Sequence, residues 1–124
     1  MANRLKAWGP AAGWAAVLFS LSAVPDVGVG YSIPISDKLA HFCLYAVLGT
    51  TLAWGRSRAP GAAAHVLLVA AGAIYGLSDE WHQMYVPGRT FDLLDWAADV
   101  AGVVFGYGTT VLLLGRRAKV TESN

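Results

Sequence analysis

One cysteine occurs in 124 residues, Cys43. A single thiol excludes an internal disulfide and any paired-cysteine metal site. Cys43 lies inside an apolar run, so it reads as a small buried hydrophobe. Charge is scarce too: Asp, Glu, Lys and Arg make up 14% of the chain, with a net charge of +1. No basic stripe or aromatic-basic interleaving is present, which excludes a nucleic-acid partner. No Ser-centred nucleophile elbow, phosphate-cradling glycine loop or His-Glu-x-x-His run occurs. No low-complexity linker or separate soluble domain interrupts the chain.

What the chain has in abundance is apolar surface. Hydrophobic residues are 56% of the sequence, and mean hydropathy is +0.48. One small domain has too little interior to bury that much, so the excess faces lipid. Four apolar segments stand out: Trp8 to Val24, Leu39 to Trp54, Ala62 to Leu77, and Trp96 to Leu114. Each is near the lower limit of the roughly 17–25 residues that a spanning helix needs. They are rich in Ala and Leu and lack period-two alternation, which predicts helices. The expected fold is all-α, a four-transmembrane-helix bundle forming one domain over residues 1–117. Residues 118–124 read as a short disordered cytoplasmic tail.

Charge sidedness sets the orientation. Arg4 and Lys6 precede segment one, Arg56 and Arg58 follow segment two, and Arg116, Arg117 and Lys119 follow segment four. Seven of the nine basic residues thus share one side, which the positive-inside rule makes cytoplasmic. Seven of the eight acids lie between Asp26 and Asp99, towards the other side. The expectation is a multi-pass cell-membrane protein with both termini cytoplasmic. Its outer connections are residues 25–37 and about 78–95. Residues 1–24 also carry signal-peptide features, with small residues Ser20, Ser22 and Ala23 before Val24. The apolar run is long for a signal peptide, and a retained helix keeps the sidedness even. Trp8, Trp54, Trp81, Trp96, Tyr31 and Tyr85 fall near segment ends, as an aromatic belt would.

Five of the eight acids crowd into residues 79–99: Asp79, Glu80, Asp92, Asp95 and Asp99. Glu80 and Gln83 share a helix face at i, i+3. Pro87-Gly88 signals a turn, and Arg89 follows it. The fourth helix then starts near Phe91 or Asp92. Asp92, Asp95 and Asp99 stack on one face, which Gly102 and Gly106 extend inward. A helix dipole accounts for acids in the first turn but not for Asp99, about two turns in. The second helix has a matching face of Asp37, His41 and Tyr45. Ser36 or Asp37 suits an N-cap, and Lys38 suits snorkelling to the outer surface. An ionisable group as deep as His41 faces a bundle interior and has a partner. Packing is already served by Gly72-x-x-x-Gly76 and Gly102-x-x-x-Gly106. So many polar residues therefore point to a pocket near the outer surface.

At "DKLAHFCLYAVLG" (37–49), "EWHQ" (80–83) and "PGRTFDLLDWAADVAGVVFG" (87–106) the chain resembles the VanZ-like family of small bacterial membrane proteins. The resemblance covers helices two to four, within a motif region of residues 36–106. It implies that Asp37, Lys38, His41, Tyr45, Glu80, Gln83, Arg89, Asp95 and position 99 are the characteristic polar positions. Members often carry Asn at the last of these, where this chain has Asp99. The resemblance also links the family to low-level resistance to the glycopeptide teicoplanin, and it supplies no mechanism.

Three function classes follow. The first is a pocket that binds or modifies a lipid-linked or cell-envelope component, with Asp92 joining the positions above. There Arg89 forks onto phosphate or carboxylate, and the acids take hydroxyl or amine groups. The second is a membrane enzyme, with catalytic candidates His41, Glu80, Asp95 and Asp99 in acid-base roles. The third is a small transporter or proton relay. Membrane lipid is the expected partner. Arg89 is expected to pair with Glu80, Asp92 or Asp95. Neither metal nor cofactor is expected, because Arg89 supplies the cation and His82 points off the Glu80 face. His82 reads as interfacial and water-exposed, and His65 as interfacial at the cytoplasmic side.

Overall fold

A computed structural model describes residues 2–25, 34–59, 61 and 64–124, and of residues 34–36 the backbone alone. Most of the first outer connection, including Asp26 and Tyr31, lies outside the described residues, as does the Ser36 side chain. Four helices account for nearly everything described: α1 (Ala2–Ser22), α2 (Pro34–Arg58), α3 (His65–Gln83) and α4 (Leu93–Glu122). No strand occurs among the described residues. Each apolar segment contributes most of one helix, and each helix runs past its segment at one end or both: α1 at its N-terminus, α3 at its C-terminus, and α2 and α4 at both. Hydropathy marks only the apolar stretch, while backbone hydrogen bonding continues through flanking polar residues of good helix propensity. The largest overrun is at the C-terminus. There α4 runs on through residues 118–122, where a disordered tail was expected, because Ala, Lys and Glu favour the helix.

Local signals set the boundaries near the site. After α3 the chain tightens into a turn, with Tyr85 N donating to His82 O and Val86 N to Gln83 O. Gly88 then adopts φ +76°, a left-handed value that glycine takes without strain. Asp92 caps α4, its side chain accepting from Leu94 N at 2.9 Å. The fourth helix thus begins where the acid run predicted.

Helices consecutive in sequence run antiparallel, so α2 and α4 run parallel, and these two form the closest pairing. Their backbones nearly touch. A Cβ on Gly102 or Gly106 would run into Phe42 O or Ala46 O, and one on Gly49 into Val103 O. Only glycine permits that approach. Leu18, Tyr45, Leu48 and Val103 form the main apolar cluster, and Ala53, Leu68 and Tyr107 a second. Three aromatic side chains bond across helices to backbone carbonyls: Trp14 to Leu44 O (2.8 Å), Tyr75 to Ala15 O (2.5 Å) and Trp96 to Ala73 O (2.9 Å). Trp96 is therefore an interhelical tie as well as a helix-end aromatic. Trp81 and Tyr85 are exposed at the end of α3, as a belt requires.

The distribution of polarity is inverted relative to a water-soluble bundle. Glu80 and Asp99 are 0% exposed, whereas Leu67, Leu94 and Leu112 are more than 60% exposed. Cys43 is exposed too, contrary to the expected burial. The apolar run of α2 is wider than the stripe its neighbours cover. Among the described residues one helix, α4, is long and apolar enough to cross a membrane.

The contacts sort the charges by end. Trp8 of α1 lies against Gly55 of α2, and His65 of α3 meets the Tyr107 hydroxyl at 2.6 Å. Arg4, Lys6, Arg56 and Arg58 therefore gather at one end of the bundle. Lys38, Glu80, Asp92 and Asp95 meet at the other.

Candidate functional site

His41 is the hub of the acidic end. It sits on α2, a turn beyond Asp37, and points between α3 and α4. Its Nδ1 lies 2.8 Å from Asp99 Oδ1 and 3.8 Å from Glu80 Oε1. Its Nε2 lies 3.7 Å from Asp95 Oδ2. The first of these is a hydrogen bond, and the other two are charge contacts without hydrogen-bond geometry. Residues from three helices thus converge on one imidazole, as the phases of Asp37-His41-Tyr45 and Asp92-Asp95-Asp99 suggested. Gly76 makes the room. A Cβ there would sit 3.2 Å from both Asp99 Cβ and Tyr45 Cε1, tighter than ordinary contact.

Lys38 closes the site from above. Its ammonium bonds Asp95 and also Asp92, the latter at 2.7 Å, with Asp37 at 3.9 Å. It reaches across to α4 where snorkelling to the surface was expected. Two carboxylates facing it outweigh hydration of a single ammonium. Lys38, together with the Leu94 N–H, holds the Asp92 carboxyl below the usual carboxylate range. Glu80 is tied to the same helix start, its Oε2 accepting from Asp92 N at 3.3 Å.

Arg89 departs from expectation. No carboxylate pairs with it among the described residues. Nε donates to Val24 O at 3.2 Å, and Nη2 approaches Leu21 O at 3.5 Å. The cause is local. The Val86–Arg89 turn, closed by Arg89 N to Val86 O at 3.1 Å, carries the side chain back over the end of α1. Carbonyls at a helix C-terminus are left without partners and carry partial negative charge, so a guanidinium suits them. The cation at the acids is Lys38.

A cavity of about 60 Å³ opens beside His41, with Ser22, Tyr45, Asp79, Gln83 and Arg89 among its lining residues. It has room for water or a small polar group. Gln83 is buried there, on the inward face shared with Glu80. His82 turns away from that face, as its i+2 offset required. It is not simply water-exposed: its ring stacks on Phe19 at 4.6 Å, and its Nδ1 lies 3.3 Å from Ser22 Oγ.

Sequence reasoning did not name Asp79 or Ser22 as site residues. Asp79 is buried and accepts from the Tyr45 hydroxyl at 2.9 Å. A signal was available: Asp79 continues the Gly72-Gly76 face by three residues and precedes Gln83 by four. Three buried carboxylate oxygens, Asp79 Oδ1, Glu80 Oε1 and Asp99 Oδ2, have no hydrogen-bond partner among the described residues. Leaving such an acceptor unsatisfied costs about 1–3 kcal/mol. Chemically, the cluster offers an imidazole, several carboxylates and a neighbouring ammonium in a partly enclosed space.

Comparison with known proteins places this arrangement in context. An uncharacterized protein of the fission yeast Schizosaccharomyces pombe is 29% identical over 101 residues. The alignment covers 82% of this chain and 62% of that protein, so the chain spans less than two thirds of the relative. The relative is fungal, and the likeness does not tie the chain to a bacterium. No solved structure matches. The model of the VanZ/LLP1 family matches residues 6–114, a span that reaches into all four helices and contains His41, Glu80, Asp95 and Asp99. The chain belongs to the VanZ/LLP1 family.

Proposed function

We propose that this is a multi-pass membrane protein whose acidic end forms an outward-facing pocket that binds or modifies a lipid-linked or cell-envelope component. The observation that carries the reading is the inverted polarity: carboxylates and an imidazole inside one end, leucines outside along the length. The helices have 21, 25, 19 and 30 residues. At 1.5 Å per residue even the shortest is about 28 Å long, close to the roughly 30 Å hydrocarbon core. All four then span, with the basic end and both termini in the cytoplasm.

In this reading a hydroxyl or amine of the ligand donates to the carboxylates around His41. A phosphate or carboxylate on the same ligand meets Arg89 at the cavity rim. The cavity admits only a small part of a headgroup, so the remainder lies at the membrane surface and its chains in lipid.

One observation favours a second reading. His41 is hydrogen-bonded to Asp99, and a carboxylate that orients an imidazole is a common arrangement for acid-base catalysis. Here the pocket also transforms what it binds.

The test uses the full chain in detergent with defined phospholipids and a polyprenyl-phosphate carrier, read by native mass spectrometry. The wild type is expected to retain one ligand class above the others. Glu80→Gln and His41→Ala are expected to lose it while keeping helical content and thermal stability. Full retention by both variants, or loss of stability matching the loss of ligand, would overturn the pocket reading in favour of packing alone.

A further inference from the structure

The sequence argues against a metal because His82 points off the Glu80 face, because no metal-ligand spacing motif occurs, and because Arg89 is expected to supply the cation. With Arg89 bonded to the end of α1, the last of these objections is gone, and a charge imbalance remains. Lys38 answers Asp92 and Asp95. Glu80 and Asp99, both fully buried, have His41 as their one charge partner among the described residues. One Nδ1–H cannot serve both. It serves Asp99 Oδ1, and Glu80 Oε1, aimed at the same nitrogen from 3.8 Å, has no hydrogen-bond partner among the described residues.

We propose that His41 Nδ1, Glu80 Oε1 and Asp99 Oδ1 bind one divalent first-row transition-metal ion, of the kind represented by Mn²⁺ and Zn²⁺. The three residues' candidate ligand atoms all lie within 4.8 Å of one another. Metal–ligand bonds of about 2.0–2.2 Å separate neighbouring ligand atoms by about 3.0–3.5 Å. The two separations from His41 Nδ1, 2.8 and 3.8 Å, straddle that range, and the third lies within 4.8 Å. Charge balances among the three ligands, because a dication with neutral His41 offsets Glu80 and Asp99. One nitrogen and two carboxylate oxygens suit this class of ion better than they suit a soft monovalent one.

The surroundings fit a ligating histidine. Such a residue donates its other ring N–H to a carboxylate, carbonyl or water, which fixes the tautomer and ring orientation. With Nδ1 on the ion, Nε2–H faces Asp95 Oδ2 at 3.7 Å. Lys38 holds Asp95 in place from the other side. The order Lys38, Asp95, His41, ion then runs inward from the end of the bundle.

This inference does not rest on the lipid-pocket reading, and the ions alone test it. Chelator-treated full-length protein in detergent is titrated with Mn²⁺ and, separately, with Zn²⁺. Bound metal is counted by mass spectrometry, and Mn²⁺ is followed by electron paramagnetic resonance. The wild type is expected to take up one equivalent and to unfold at a higher temperature in its presence. Bound Mn²⁺ is expected to show coupling to one imidazole nitrogen. Glu80→Gln, a near-isosteric change, should weaken binding at least about tenfold. His41→Ala should abolish the nitrogen coupling. Wild-type protein that stays folded but binds less than stoichiometric metal would overturn the proposal. So would equal uptake by Glu80→Gln, or Mn²⁺ without nitrogen coupling.

Discussion

Replacing Lys38 by Met removes the ammonium from between Asp92 and Asp95 while keeping most of the side-chain volume. The ammonium lies between two carboxylates, so its Coulomb attraction to them is strong before desolvation. Desolvation cancels much of that, since Asp95 is only 10% exposed and Lys38 31%. Asp92 is 38% exposed, so solvent screens its share further. The net coupling of Lys38 with Asp95 should be about 1–3 kcal/mol, above the ~0.6 kcal/mol average for interhelical hydrogen bonds in membranes. A double-mutant cycle of Lys38→Met with Asp95→Asn measures it, with equilibrium unfolding in mixed micelles read by tryptophan fluorescence. The matching cycle of Arg89→Gln with Asp95→Asn should give a coupling near zero, because Arg89 bonds to α1 carbonyls. A larger coupling for Arg89 than for Lys38 would refute this account of the site's electrostatics. Both singles carry information too. Arg89→Gln should loosen the end of α1, with a loss of about 1 kcal/mol, while leaving Asp95 unaffected.

Two further outcomes follow from packing and sidedness. Gly106→Ala places a methyl group against Ala46 O and should cost about 1–3 kcal/mol by forcing α2 and α4 apart, whereas Gly108→Ala, with open space around it, should gain up to about 1 kcal/mol from helix propensity; thermal unfolding of the two variants checks the contrast, and equal effects would contradict the close α2–α4 approach. Reporter fusions at Asn124 should register as cytoplasmic, and insertions within residues 25–37 as external; an external C-terminus would overturn the proposed orientation and the outward placement of the pocket.

Much about the chain was legible without coordinates. Helical state, element number and the approximate start of α4 follow from local quantities: apolar run length, turn residues and an aspartate cap. The face that carries Asp95, Asp99, Gly102 and Gly106 follows from helical phase, which is also local. So does the matching face of His41 and Tyr45, and the two meet in the structure because small residues let α2 and α4 touch. The separation of basic and acidic ends was likewise readable, since it needs only alternating helix direction.

Partner choice was not local, and there the tertiary structure decided. Lys38 and Arg89 are both cations beside the acid run, and nothing in their sequence positions says which one turns inward. The answer depends on a turn at Val86–Arg89 that aims one of them at α1, and on how near α2 lies to the start of α4. Asp79 illustrates the same limit. Its neighbour Glu80 shares the inward side because a helix face spans more than 100°, and only the packed position of Tyr45 shows that both are buried. Cys43 and Trp96 show it again, since hydropathy states that a residue avoids water but not whether protein or lipid covers it. Periodicity constrains which way a residue faces along its own helix; what it meets there depends on the rotation and separation of the neighbouring helices, which are properties of the assembled bundle.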